Sequence, residues 1–139
     1  MEPYEYLDHT GDLGVHVYGN TLPELFTNAA SGMLEAMVAS DSVDAVKQIS
    51  IEVTAESLED LMVAWLDELI FKHEVEEICF QRVEILQITN TKLSATGYGE
   101  PTDLKKHIVY TEIKSVTYHQ LIVEQRPDGT WFAQVIFDL

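Results

Sequence analysis

The sequence predicts an α+β domain, with two amphipathic helices packed on a mixed, largely antiparallel β-sheet. Two stretches, 21–38 and 57–74, carry apolar residues at helical spacing, and much of the remaining chain alternates with a period of two. Several of those alternating runs are joined by short turns of hairpin type, which favours antiparallel neighbours and helices laid on a sheet. No internal repeat, low-complexity tract or long linker interrupts the 139 residues, so 1–139 reads as one domain, long enough to bury a core.

Residues 3–19 read as two strands, with Tyr4 and Tyr6 before a turn at His9–Asp12 and Leu13, Val15 and Val17 after it. The first helix opens at Thr21, where Glu24 three residues on completes a capping box and Pro23 is tolerated in the first turn. Its stripe is Leu22, Leu25, Phe26, Ala29, Ala30, Met33, Leu34, Met37 and Val38. Ser40–Ala45 is a polar turn, and Ile49, Ile51 and Val53 alternate as a strand. Ser57 with Asp60 then caps a second helix, whose stripe runs Leu58, Leu61, Met62, Trp65, Leu66, Leu69 and Ile70. Strands follow at 78–88 and 92–98 around an Asn90-Thr91 turn, the second stopped by the loop Gly97-Tyr98-Gly99-Glu100-Pro101. Three more strand patterns, at 108–114, 118–125 and 131–137, complete the chain, the last two linked by Pro127-Asp128-Gly129.

Charge narrows the function. There are 24 acids against 8 bases, a formal net charge of -16, and no Lys or Arg precedes Lys47. Such a field repels phosphate backbones, so tight autonomous binding of DNA or RNA is not expected; it favours a cation or a basic protein surface. No apolar run approaches the roughly 20 residues that span a bilayer, and the start lacks a secretion-signal pattern, so a cytoplasmic protein without membrane partners is expected. The single cysteine, Cys79, excludes an internal disulfide and a cysteine-based zinc cage, and in the run Ile78-Cys79-Phe80 it reads as a small core residue.

The chemistry concentrates at the two ends of the sequence. Asp8-His9-Thr10-Gly11-Asp12 places two carboxylates around a glycine turn, and Asp138 closes the strand-like run Val135-Ile136-Phe137-Asp138-Leu139. Hard oxygen ligands of this kind suit Ca²⁺, Mg²⁺ or Mn²⁺ rather than zinc. An Asp in a turn also commonly accepts backbone N–H bonds, and on spacing alone the two readings stand level. His9 is open to being a ligand, a base or a turn histidine bonded to backbone. Leu139 adds its carbonyl or terminal carboxylate as a further oxygen. Lys114 ends the alternating run Ile108–Lys114, where a lysine beside an acid cluster either holds phosphate or polarises a bound group, or is an edge-strand charge that deters aggregation. No nucleophile signature, phosphate loop or dinucleotide fingerprint is present, and Gly97-Tyr98-Gly99-Glu100 does not match G-x-G-x-x-G. A free-standing enzyme is therefore not expected, and no catalytic residue is assigned.

The block Tyr4-Glu5-Tyr6-Leu7-Asp8-His9-Thr10-Gly11-Asp12 resembles the N-terminal signature of the archeases, with glycine where alanine is usual. Further matches follow in order: Gly19-x-Thr21-Leu22 with Glu24 and Phe26, Leu66-Asp67-Glu68-Leu69, Gly97-x-Gly99-Glu100, Lys106-His107, Thr111-Glu112-x-Lys114, Thr117-Tyr118 and the terminal Ile136-x-Asp138. The resemblance spans essentially the whole chain. It implies a compact α+β domain acting as a non-catalytic cofactor of the GTP-dependent RNA ligase of tRNA splicing and RNA repair. Such a cofactor promotes guanylylation of the ligase's active-site histidine and so sustains multiple turnover. The resemblance also implies a divalent-metal site, with Ca²⁺ or Mn²⁺ favoured, at Asp12, Asp138 and Leu139. It implies contributions to activation from Lys114 and Glu24, with Asp8 and His9 in the same signature. Gly11 for alanine loosens the backbone that aims Asp12. Leu139 stands where isoleucine is common, an exchange that leaves a main-chain ligand unaffected. A chaperone-like modulator of RNA-processing enzymes, working through surface contacts without a metal, is the alternative.

Overall fold

Both helices lie against both of two antiparallel sheets, so one hydrophobic cluster is shared by every layer. The computed structural model describes residues 2–9 and 11–139, and the side chains of Asp8 and His9 lie outside the described part. The elements are β1 (Tyr4–His9), β2 (Asp12–Gly19), α1 (Leu22–Met37), a 3-10 turn (Ser40–Ser42), β3 (Lys47–Thr54), α2 (Leu58–Glu74), β4 (Ile78–Ile88), β5 (Lys92–Pro101), β6 (Ser115–Val116), β7 (Ile122–Gln125) and β8 (Trp131–Asp138). This bears out two helices on antiparallel sheet. The strands divide into two sheets: β1-β2-β8-β6 with β7 also on β8, and β3-β5-β4.

Local chemistry explains the helices. Thr21 accepts the Glu24 N–H at 3.2 Å and Ser57 accepts the Asp60 N–H at 3.1 Å, satisfying donors that the first turn leaves open. Each helix then buries its apolar stripe, with Leu25, Phe26, Ala30, Met33, Trp65, Leu66 and Leu69 inaccessible to solvent. The indole N–H of Trp65 donates to the Phe26 carbonyl at 3.0 Å, so the core tryptophan ties α2 to α1 without stranding a polar group. Truncating Trp65 to alanine would cost about 3–5 kcal/mol, from the lost burial together with the cavity left behind.

Three strand expectations are corrected. β5 does not stop at the glycine-rich segment but runs on to Pro101. Gly97 and Gly99 are glycines because neighbours press on the strand, not because it ends. A Cβ at Gly97 would lie 2.4 Å from the Phe80 ring, and one at Gly99 would lie 2.0 Å from the Cys79 carbonyl oxygen. The run 108–114 is not a strand. It makes one isolated bridge, Val38 to Val109, because its neighbours 37–39 are just leaving α1 and cannot continue a ladder. The run 118–125 shrinks to β7, since Tyr118–Leu121 forms a turn with Gln120 at φ 52°, and the two-residue β6 precedes it. Among the described residues, no helix is long and apolar enough to cross a membrane.

Candidate metal-binding end of the central sheet

β2 begins with Asp12 and β8 ends with Asp138, and the antiparallel register sets these two residues directly opposite each other. The same register row continues to His9 on β1 and Ser115 on β6. Residues facing each other in this way have Cβ atoms about 4.5–5.5 Å apart, and like charges so placed repel. Asp12 is half-buried and Asp138 exposed. Among the described residues, no Lys, Arg or His forms an ion pair with either carboxylate. A cation between them would convert a repulsive pair into a bridged one.

The donor set fits a hard divalent ion: two carboxylates from adjacent strands, with Leu139 following Asp138 at the mouth and 37% exposed. Among the described residues, no three His, Cys, Asp or Glu side chains converge on one point. Further ligands would therefore be main-chain oxygens or water. Lys114 is brought to the same end by its backbone, its N–H donating to the Asp138 carbonyl at 2.8 Å, while its side chain is exposed. The structure thus brings together Asp12, Asp138, Leu139 and Lys114. Asp8 and His9 are placed only by strand register, and their side-chain roles lie outside the described residues.

Glu24 is elsewhere. It sits in the first turn of α1, beside the Gly19 end of β2, which is roughly 23 Å from Asp12 at the usual rise per strand residue. There its carboxylate accepts the Asn20 N–H at 3.3 Å, completing the cap of α1.

A support of the site, and a charged network remote from it, carry no role in the sequence reading. Asp67, half-buried on α2, accepts the Val116 N–H at 3.1 Å and so fastens β6, the strand that directly follows Lys114. Burial raises its carboxyl above the ordinary value, partly offset by that hydrogen bond. One heptad earlier, Asp60 accepts the Tyr118 hydroxyl at 2.8 Å. The i, i+7 spacing of these acids beside an apolar stripe is the signal in the sequence, because it puts both on one flank of α2. The charged network is at the end of β5. Glu100 accepts the Asp44 N–H at 2.7 Å, the Lys106 ammonium at 2.7 Å and the His107 ring at 3.0 Å. Led by the Asp44 N–H, these bonds hold the Glu100 carboxyl down to about 2. The network gathers the loop after the 3-10 turn, the end of β5 and the start of the segment that leads to Lys114.

Comparison with known proteins agrees with the resemblance. The model of the Archease protein family matches residues 4–139. Proteins called archease in Methanosarcina barkeri and Thermococcus gammatolerans are 41% and 39% identical to this chain; the first alignment covers 98% of the chain and 95% of the relative, the second all of both. The solution structure of protein 1598 of Methanobacterium thermoautotrophicum superposes with a TM-score of 0.82 at 33% identity over the full length of both chains. The crystal structure of a Thermotoga maritima archease, described as a possible chaperone, gives 0.71 at 25% identity, covering 96% of this chain and 94% of that one. The chain belongs to the archease family.

Proposed function

We propose that this protein is a non-catalytic cofactor of a GTP-dependent RNA ligase. It acts by docking the Asp12–Asp138 end of its sheet, with a divalent ion, at the ligase's nucleotide site to promote guanylylation of the active-site histidine. The observation that carries this reading is the direct cross-strand opposition of Asp12 and Asp138. A bound divalent ion would neutralise charge on the nucleotide phosphates during transfer. The chain's own residues would do the rest: the two carboxylates would hold the ion, the residue before β6 brings Lys114 to the same end through its main chain, and a net charge of -16 speeds encounter with a basic, RNA-binding partner. The ion is Ca²⁺, Mg²⁺ or Mn²⁺, with Ca²⁺ or Mn²⁺ preferred, and the setting is the cytoplasm, where tRNA exons are joined and broken RNA is repaired.

Single-turnover guanylylation of the cognate ligase, with and without this protein, tests the reading. Stimulation by the wild type and its loss in Asp138→Ala are expected. Full stimulation by the variant sinks the metal-tip mechanism. The second reading, a chaperone-like modulator acting through surface contacts, is favoured by the description given to the Thermotoga relative. It predicts that Asp12→Ala and Asp138→Ala leave stimulation intact.

A further inference from the structure

Away from the Asp12–Asp138 end, the start of the segment leading to Lys114 borders a groove of about 480 Å³. It is lined by Glu74 and Glu77, at and just past the end of α2, and by Leu104, Val109, Thr111 and Glu112 of the segment leading to Lys114. Three features of this groove are independent of one another.

The first is an open strand edge. Val109 is bridged to Val38 through the Ala39 N–H to Ile108 carbonyl bond (3.2 Å) and the Tyr110 N–H to Met37 carbonyl bond (2.8 Å). In an antiparallel bridge, those bonds come from the neighbours of Val109, so its own N–H and C=O point away from α1. Among the described residues, the main-chain groups of Val109 and Thr111 take no hydrogen bond. The second is apolar exposure: of the residues lining the groove, Leu104 is 78% exposed and Val109 44%, two apolar side chains open to solvent. The third is charge. Glu74, Glu77 and Glu112 border the groove at the negative end of the α2 dipole. Of the nearby lysines, Lys72 is held between Glu68 and Glu76 at 3.6 Å each, and Lys106 is taken up by Asp44 and Glu100. Lys105 stays exposed next to Leu104.

We infer that this groove docks an extended segment of a protein partner in which basic and apolar residues alternate, added as a strand along 109–111. Main-chain bonds to Val109 and Thr111 supply affinity by strand addition. Successive side chains of a strand point to opposite faces, so one set covers Leu104 and Val109 while the other meets the three glutamates. An acidic or helical segment satisfies neither requirement. The site is distinct from the metal-binding end and does not depend on the function proposed above.

The test is a titration of the isotope-labelled chain, without any ligase, by a short capped peptide alternating Arg and Val, followed by amide chemical shifts. Saturable shifts centred on Val109, Thr111 and Glu112 are expected, weakening with salt and absent for a Glu-Val counterpart or a peptide with proline at its centre. Leu104→Asp, at an exposed position that leaves folding untouched, and the charge reversal Glu77→Lys with Glu112→Lys should each weaken binding about tenfold or more. The inference is overturned by shifts that scatter over the acidic surface without saturating, by equal binding of the proline peptide, or by unchanged affinity in the variants. It is also overturned if the same amides shift with protein concentration alone, which would make the occupant a second copy of this chain.

Discussion

His107 donates its ring proton to Glu100 at 3.0 Å from Nε2, because the Asp103 N–H already occupies Nδ1 at 2.9 Å. A backbone N–H can only donate, so the tautomer is fixed and the buried ring has a partner at both nitrogens. Glu100 in turn accepts from three donors on two segments, Asp44 on one and Lys106 with His107 on the other, and its carboxyl falls from 4.5 to about 2 on folding.

A depressed carboxylate contributes stability above its unfolded value and loses it as pH falls through the folded one. The contribution from Glu100 is therefore complete above about pH 4.5 and disappears toward about pH 2. Glu100→Gln should lower Tm at neutral pH and flatten the acid limb of the stability curve over that window. Thermal melts of both proteins from neutral pH down to about 2 check it, and parallel curves would refute it.

Asp67 gives a second prediction. Asp67→Ala leaves the Val116 N–H without its acceptor, a loss of about 1–3 kcal/mol, whereas Asp67→Asn retains an oxygen there. Burial already disfavours the charged form of Asp67, so the asparagine variant should match or exceed wild-type stability at neutral pH. Denaturant unfolding of the pair decides. If alanine and asparagine cost the same, the bond to β6 is not what Asp67 contributes.

Legibility in the sequence followed the range of the interaction. The capped helices were readable because Thr21 to Glu24 and Ser57 to Asp60 are contacts within four residues, reinforced by long apolar stripes. The Asp12–Asp138 pairing was not readable from periodicity, since it joins residues at opposite ends of the chain through strand register; the family resemblance supplied that pair, and the register shows them opposed. Gly97 and Gly99 misled because a glycine needed for close approach within a strand looks like one that ends it. Ile108–Lys114 misled because alternation records an extended backbone, and only the neighbour, here the end of α1, decides whether a ladder forms. Glu24 matched the family block in sequence yet lies at the far end of β2, because the strand between carries the two ends apart.

The two kinds of glycine predict different costs. Gly99→Ala drives a methyl into the Cys79 carbonyl, a backbone atom that cannot swing aside, and should cost about 3 kcal/mol or more. Gly11, at φ +78° with open space around its Cα, should tolerate alanine sterically and lose only about 1 kcal/mol to backbone strain. Comparing the two unfolding free energies tests whether close approach, rather than chain freedom, explains Gly99.

Glu24 separates capping from activation. Its carboxylate accepts the Asn20 N–H at the start of α1, so Glu24→Ala should cost about 0.5–1 kcal/mol of stability. Ligase stimulation, measured well below the melting temperature, should stay at the wild-type level. A stable Glu24→Ala protein that no longer stimulates would instead place a functional surface at the Gly19 end of β2.

The opposition of Asp12 and Asp138 predicts linkage between metal and stability. Without divalent ions the two like charges repel across the strand pair, so Asp138→Asn should be at least as stable as wild type in chelator. Adding Mn²⁺ or Ca²⁺ should reverse the order, because an ion bound only by the folded state stabilises by about 2.7 kcal/mol at a hundredfold excess over its Kd. The wild-type Tm should climb with ion concentration while that of Asp138→Asn stays level, and Asp12→Asn should behave likewise. Lys114→Ala should retain the ion-dependent rise, since Lys114 reaches Asp138 through its main-chain N–H, which alanine preserves. Equal ion-dependent shifts in wild type and both asparagine variants would mean that the ion binds elsewhere on the acidic surface and that the paired carboxylates do not hold it.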